Sequence, residues 1–151
     1  MKGHEFYMRE ALREAKKAFD KDEVPVGAVV VHKGSIIARA HNQIKLLKDP
    51  TAHAEMIAIT QASAELKNER LIDCVMYVTI EPCSMCTGAM VLARIKELVY
   101  GASDPKTGAC GSVIDLANHK KLNHKFEIKK GILEGEISFL IKEFFKKKRK
   151  K

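Results

Sequence analysis

At 151 residues the chain has the length of one domain, enough to bury a core without disulfide staples. Hydrophobic residues make up 46% and charged residues 30%, an ordinary globular balance, and no apolar run approaches the length that spans a bilayer. The formal charge of +8 is concentrated: the last ten residues, "KEFFKKKRKK", hold seven of the 27 basic groups and one of the 19 acidic ones, which leaves 20 against 18 elsewhere.

The N-terminal stretch alternates charges every few residues and has no apolar segment of the signal-peptide kind. A cytoplasmic protein is the expectation, and there four cysteines read as thiols or metal ligands rather than a disulfide framework. Residues 4–20 place Met8, Leu12, Ala15 and Phe19 at helical spacing, so an amphipathic helix opens the chain. "VPVGAVVVHKGSIIARAHN" reads as a hairpin turning at Lys33-Gly34. A second helix starts near His53, with Met56, Ile59 and Ala62 along one side.

"CVMYVTI" is a short apolar strand, and Pro82 both ends it and suits the first turn of the helix "SMCTGAMVLARI". The strand "ELVYGAS", the turn-rich loop "DPKTGACGS" and a last strand within "FEIKKGIL" follow. Ile137, Leu140, Ile141 and Phe144 form the stripe of a closing helix, whose end at 142–151 is the basic tail. That tail suits a helix end facing its own dipole as well as it suits an RNA-contacting patch. At least one of Phe144 and Phe145 belongs to the core, and an aromatic among basic groups also suits stacking on unpaired bases. Strands alternating with helices, plus a hairpin, indicate a three-layer α/β/α sandwich with a mixed sheet, as one domain over 1–151.

Two short motifs carry the chemistry. "HAE" supplies His53 and Glu55, and "EPCSMC" supplies Cys83 and Cys86, each at the start of a helix. Residues three apart share a helix face, and free N–H groups at a helix start favour thiolate over thiol. One imidazole and two thiolates suit Zn²⁺, and three protein ligands leave the fourth position for water, the arrangement of a catalytic zinc rather than a structural one. Glu55 is then free to move protons as a general acid/base. Cys74 reads as core. Cys110, in the glycine-rich loop, is the residue able to change the ligand count. His4, His32, His41, His119 and His124 stand alone and read as structural.

The pattern "HAE…PCSMC", with "EVPVGAV", "AHN", "DPTAHAE", "MYVTIEPC", "GAM", "PKTGACGS" and "LNH" in this order, resembles the bacterial tRNA-specific adenosine deaminases of the TadA type, within the cytidine/deoxycytidylate deaminase superfamily. The resemblance runs from about Glu23 to His124, with a weaker echo in "EFFKKKR". It implies a cytidine-deaminase-like fold, one zinc per subunit, a homodimer, and hydrolysis of adenosine to inosine at the wobble position of a tRNA anticodon stem-loop. By matching position, His53, Cys83 and Cys86 would bind zinc, and Glu55 would be the general acid/base. Asn42 would contact the target nucleotide, and Ala54 would lend its backbone N–H to the base. Asp104, Lys106 and Asn123 would line the path of the loop, and Phe145 would help hold a flanking base. Two rival readings remain: a deaminase of a free nucleobase or nucleoside such as guanine or cytosine, and a non-catalytic RNA-binding partner subunit.

Overall fold

A computed structural model describes residues 2–150; the tail's last residue, Lys151, lies outside the described residues, as does Met1. In chain order the elements are α1 (His4–Asp20), β1 (Gly27–His32), β2 (Ser35–His41), α2 (Ile44–Leu47), α3 (Ala54–Leu66), β3 (Cys74–Ile80), α4 (Ser84–Ala93), β4 (Glu97–Ala102), β5 (Glu127–Lys129) and α5 (Glu134–Arg149). The strands form one mixed sheet in the order β2-β1-β3-β4-β5. β1 pairs antiparallel with both β2 and β3, whereas β3, β4 and β5 run parallel.

The hairpin turns where expected. Lys33 and Gly34 both have positive φ, at 50° and 83°, as a two-residue turn that follows the strand twist requires. Strand alternation then divides the sheet between two cores. Val29, Val31, Tyr77 and Val99 face α1 and α5, where they meet Met8, Leu12 and Ile137. Val30, Met76, Val78 and Leu98 face α3 and α4, where they meet Ala58, Ala62 and Met90. The result is the expected three-layer α/β/α arrangement, a sheet covered by two helices on each side.

Several local expectations are refined. The innermost face of α3 is Ala54, Ala58 and Ala62, all at 0% exposure, with Met56 and Ile59 half-buried at its flanks. These small side chains let the helix lie close to the sheet. Pro82 is not in the first turn of α4: Cys83 is the N-cap and Ser84 the first helical residue, so Pro82 sits one position before the cap. The single turn α2 was not legible as a helix. It is held by Glu23, whose carboxylate accepts the N–H groups of Lys45 and Leu46 at 3.1 and 2.9 Å. The last strand is only three residues long.

The basic end of α5 packs on the body. Phe144 is buried against Phe19, edge to face at 5.9 Å, while Phe145 is 43% exposed. Asp22 Oδ2 accepts from Lys148 Nζ at 2.6 Å and from Lys45 Nζ at 3.1 Å, and these two ammonium groups hold its carboxyl down to about 2. No helix among the described residues is long and apolar enough to cross a membrane.

One close approach sets how α1 lies on the sheet. A Cβ on Gly27 would run into the Ala11 carbonyl oxygen and stand 2.5 Å from the Ala15 nitrogen, both backbone atoms. Gly27→Ala should therefore cost about 3 kcal/mol of unfolding free energy, read from urea denaturation, since the helix must lift off the strand.

Candidate active site

β2 and β3 flank β1 and are antiparallel to it, so their C-terminal ends leave the sheet at the same edge. From each the chain goes on to a helix on the same face of the sheet, α3 after β2 and the single turn α2, and α4 directly after β3. His53 is the N-cap of α3 and Cys83 the N-cap of α4, both with extended backbone and neither using its side chain to cap its own helix. Both side chains are thereby free to turn into the space between the two helix starts. Cys86 follows three residues later, on the inner face of the first turn of α4.

The donor atoms converge. His53 Nδ1 lies 3.7 Å from Cys83 Sγ and 3.5 Å from Cys86 Sγ, and the three ligand atoms all lie within 4.8 Å of one another. A tetrahedral zinc with Zn–S about 2.3 Å and Zn–N about 2.05 Å separates sulfur from nitrogen by about 3.6 Å, so the spacing and donor types both fit that ion. A hydrogen bond from Cys86 lowers Cys83 to about 4, and the same contact together with burial drives Cys86 far above the ordinary thiol range. A dication bound there would favour the thiolate at both sulfurs.

Cys110 does not join the cluster. Its sulfur lies 3.5 Å from Thr87 Oγ1, and burial pushes its thiol up to about 12, the behaviour of a packed, inert cysteine. Cys74 is fully buried beneath α3 and α4. The remaining histidines lie elsewhere; His4 bonds Tyr77, His41 bonds Glu14, and His124 bonds the Ile95 carbonyl.

Glu55 stands in the first turn of α3, 3% exposed. Burial pushes its carboxyl up to about 7, where it exchanges a proton readily at neutral pH. Glu55, His53 and Cys83 line one cavity of about 210 Å³, walled by Val24, Val26, Ile44 and Ile80 and closed by Asn42, Glu81, Asp104 and Thr107. Pockets that enclose whole drug-sized ligands begin at about 300 Å³, so this space suits a single inserted ring with the rest of its molecule outside.

The comparisons with known proteins agree with this geometry. The profile of the MafB19-like deaminase family matches residues 2–149. The tRNA-specific adenosine deaminase of Aquifex aeolicus is 50% identical over 147 residues, covering 97% of each chain. This chain belongs to the tRNA-specific adenosine deaminases. A solved structure from a study of A-to-I editing by tRNA:A34 deaminases at the wobble position superposes with a TM-score of 0.87 at 43% identity, over 89% of this chain and 98% of the other. A guanine deaminase from Bacillus subtilis shares the fold less completely, with a TM-score of 0.65 at 39% identity over 68% of this chain and 66% of that one.

The residues expected to face a substrate fall into three groups here. Asn42, Asp104, Lys106 and Phe145 lie at or beside the cavity. Asp104 lines it, and its carboxylate accepts the N–H groups of Lys106 and Thr107 at 2.9 and 3.2 Å. Lys106 faces Phe145 across a groove of about 460 Å³ that also has Lys142, Lys148 and Arg149 on its walls. Ala54, whose N–H is expected to serve the base, donates it to Asn42 Oδ1 at 2.7 Å. The donor that this bond leaves over is the Asn42 amide nitrogen. Asn123 lines neither the cavity nor the groove; its carbonyl accepts from Arg94 at 3.3 Å, just past the C-terminal end of α4.

Sequence reasoning missed Glu81, Thr107, Val24 and Ile44. For Glu81 a signal existed, since an acid placed directly before Pro-Cys at a strand end has no surface to reach. For Val24 and Ile44 there was none, because a cavity wall is indistinguishable from core in one dimension.

Zinc stoichiometry of purified variants, measured by atomic emission, tests the ligand set. Cys83→Ser and His53→Ala should fall well below one zinc per chain, whereas Cys110→Ser should keep the wild-type content.

Proposed function

We propose that this chain is a zinc-dependent hydrolase that converts adenosine to inosine at the wobble position of a tRNA anticodon, acting in the cytoplasm where tRNA is used, as one deaminase domain. The observation that carries the reading is the adjacency of two spaces. A ring-sized cavity holds His53, Glu55 and Cys83, and a cationic groove runs beside it, joined through one short loop. Asp104 and Thr107 face the cavity, while Lys106 between them faces the groove. A base turned out of a single-stranded loop enters the first, and its flanking phosphates follow the second. A free base needs only the cavity.

The reaction adds water at C6 of the adenine and releases the 6-amino group as ammonia. Zinc held by His53, Cys83 and Cys86 supplies the Lewis acidity that brings the pKa of a water towards neutrality. Glu55 moves the protons: its carboxylate takes one from the attacking water and passes it to N1 of the ring, then takes the proton of the new C6 hydroxyl and gives it to the amine, which leaves as ammonia while C6=O forms. Asn42 holds the start of α3 through Ala54 and offers its amide nitrogen to the nucleotide. Val24, Val26, Ile44 and Ile80 exclude bulk water from the ring.

The partner is an anticodon stem-loop, and the assembly is a homodimer. Support for the second copy lies on the outer face of α4, where Leu92 is 81% exposed beside the half-buried Ala89 and Met85.

Incubation of zinc-loaded protein with a stem-loop carrying a wobble adenosine, beside free adenosine, guanine and cytidine, tests the substrate. Inosine should form from the stem-loop alone; turnover confined to a free base would replace the substrate, and no turnover would leave an RNA-binding subunit. Glu55→Gln should keep its zinc while inosine formation drops by about 10³-fold. Replacing Lys146, Lys147 and Lys150 by alanine should weaken stem-loop binding and flatten its dependence on salt, because fewer counterions are exchanged.

A further inference from the structure

Glu81 belongs to the "EPCSMC" motif, yet neither metal binding nor proton transfer uses it. It is 2% exposed and sits between the last residue of β3, Ile80, and Pro82. Its backbone N–H continues the sheet by donating to the Ala102 carbonyl at 2.8 Å. Its side chain points into the turn-rich loop that follows β4. Oε1 accepts the Asp104 N–H at 3.0 Å and the Ser112 hydroxyl; Oε2 accepts the N–H groups of Cys110 and Ser112 at 2.9 and 3.2 Å. A carboxylate has about four acceptor positions, and four donors from one loop fill them.

The loop is wrapped closely around this carboxylate. Gly108 has no room for a side chain, since a Cβ there would run into Glu81 Cδ and stand 2.5 Å from both carboxylate oxygens. The Ala109 N–H donates to the Pro82 carbonyl at 2.9 Å, a second tie to the strand-to-helix connection that carries Cys83. Residues 104–112 therefore take their position from the residue that precedes the first cysteine by two. On that loop, Asp104 and Thr107 close the cavity and Lys106 stands across the groove from Phe145. Lys106 forms no ion pair among the described residues, so its ammonium is available to an anion.

We infer that Glu81 is a positioning residue for RNA: by holding the loop from Asp104 to Ser112 against the metal-bearing connection, it presents Lys106 to a backbone phosphate beside the inserted nucleotide. This role rests on the RNA reading above. It differs from support of the metal helix, because all four side-chain bonds go to the loop and none to α4. A glutamine cannot substitute. Whichever way its amide turns, the NH₂ group meets at least one backbone N–H that needs an acceptor, and the loop must shift.

The test is a double-mutant cycle on binding of a fluorescent anticodon stem-loop to zinc-loaded protein, with zinc content and inosine formation measured on the same samples. Glu81→Gln should weaken binding about tenfold with zinc retained. Lys106→Ala should weaken it several-fold in the wild type and hardly at all in the Glu81→Gln background. If Glu81→Gln yields no folded protein, Ser112→Ala, which removes one of the four donors, takes its place and should show the same coupling at smaller size. Additive penalties, or loss of zinc with binding unchanged, would overturn the inference. Wild-type protein that binds and couples but forms no inosine would overturn the deaminase reading and leave this one standing. Wild-type protein that does not bind the stem-loop would overturn both.

Discussion

The site depends on one distance, that between two helix starts. β2 and β3 are two strand spacings apart, about 9.6 Å, which is also the distance at which two helices pack side by side. Because β1 is antiparallel to both, the connections into α3 and α4 leave the sheet at one edge and on one face. The first residue before each helix is then a neighbour of the other. His53 and Cys83 occupy those two N-cap positions and reach each other at 3.7 Å. The unpaired N–H groups at both helix starts place partial positive charge around the cluster, which favours thiolates.

Two buried carboxylates near this cluster illustrate how satisfaction, rather than burial, divides the work. Glu81 and Glu55 are 2% and 3% exposed. Against the burial that would raise it, bonds from the Ser112 hydroxyl and from loop N–H groups hold Glu81 below the ordinary carboxylate range. Such a group is fixed in place and keeps its charge. Glu55 lacks that set of donors, and burial lifts it to about 7. The first is suited to holding a loop and the second to carrying a proton.

The basic end of α5 is part of the folded body. Phe144 fills the gap beside Phe19, so the helix that carries the lysines is anchored by burial. Asp22 and Glu23, adjacent residues after α1, hold Lys148 and the α2 turn respectively. This connection sets the C-terminal helix against the rim of the cavity, where Val24 and Ile44 stand. A cationic groove is thus assembled from α5 and the loop after β4, segments about forty residues apart.

The sequence by itself determined the elements, because helical and strand periodicities are local and strong: α1, the hairpin with its Lys33-Gly34 turn, β3, α4 and β4 were all legible. It also named His53, Glu55, Cys83 and Cys86 as one group, since HxE and CxxC at helix starts form a rare joint pattern. What a linear reading cannot give is the partner of a polar atom. The resemblance implies that the Ala54 N–H serves a base, and here it donates to Asn42. It places Asn123 along the loop's path, and here the Asn123 carbonyl accepts from Arg94 past the end of α4. Cys110 read as a possible fourth ligand, yet it packs against Thr87. Each outcome turns on a contact between residues distant in sequence, 12, 29 or 23 positions apart, and only the packing of helices on the sheet decides such contacts.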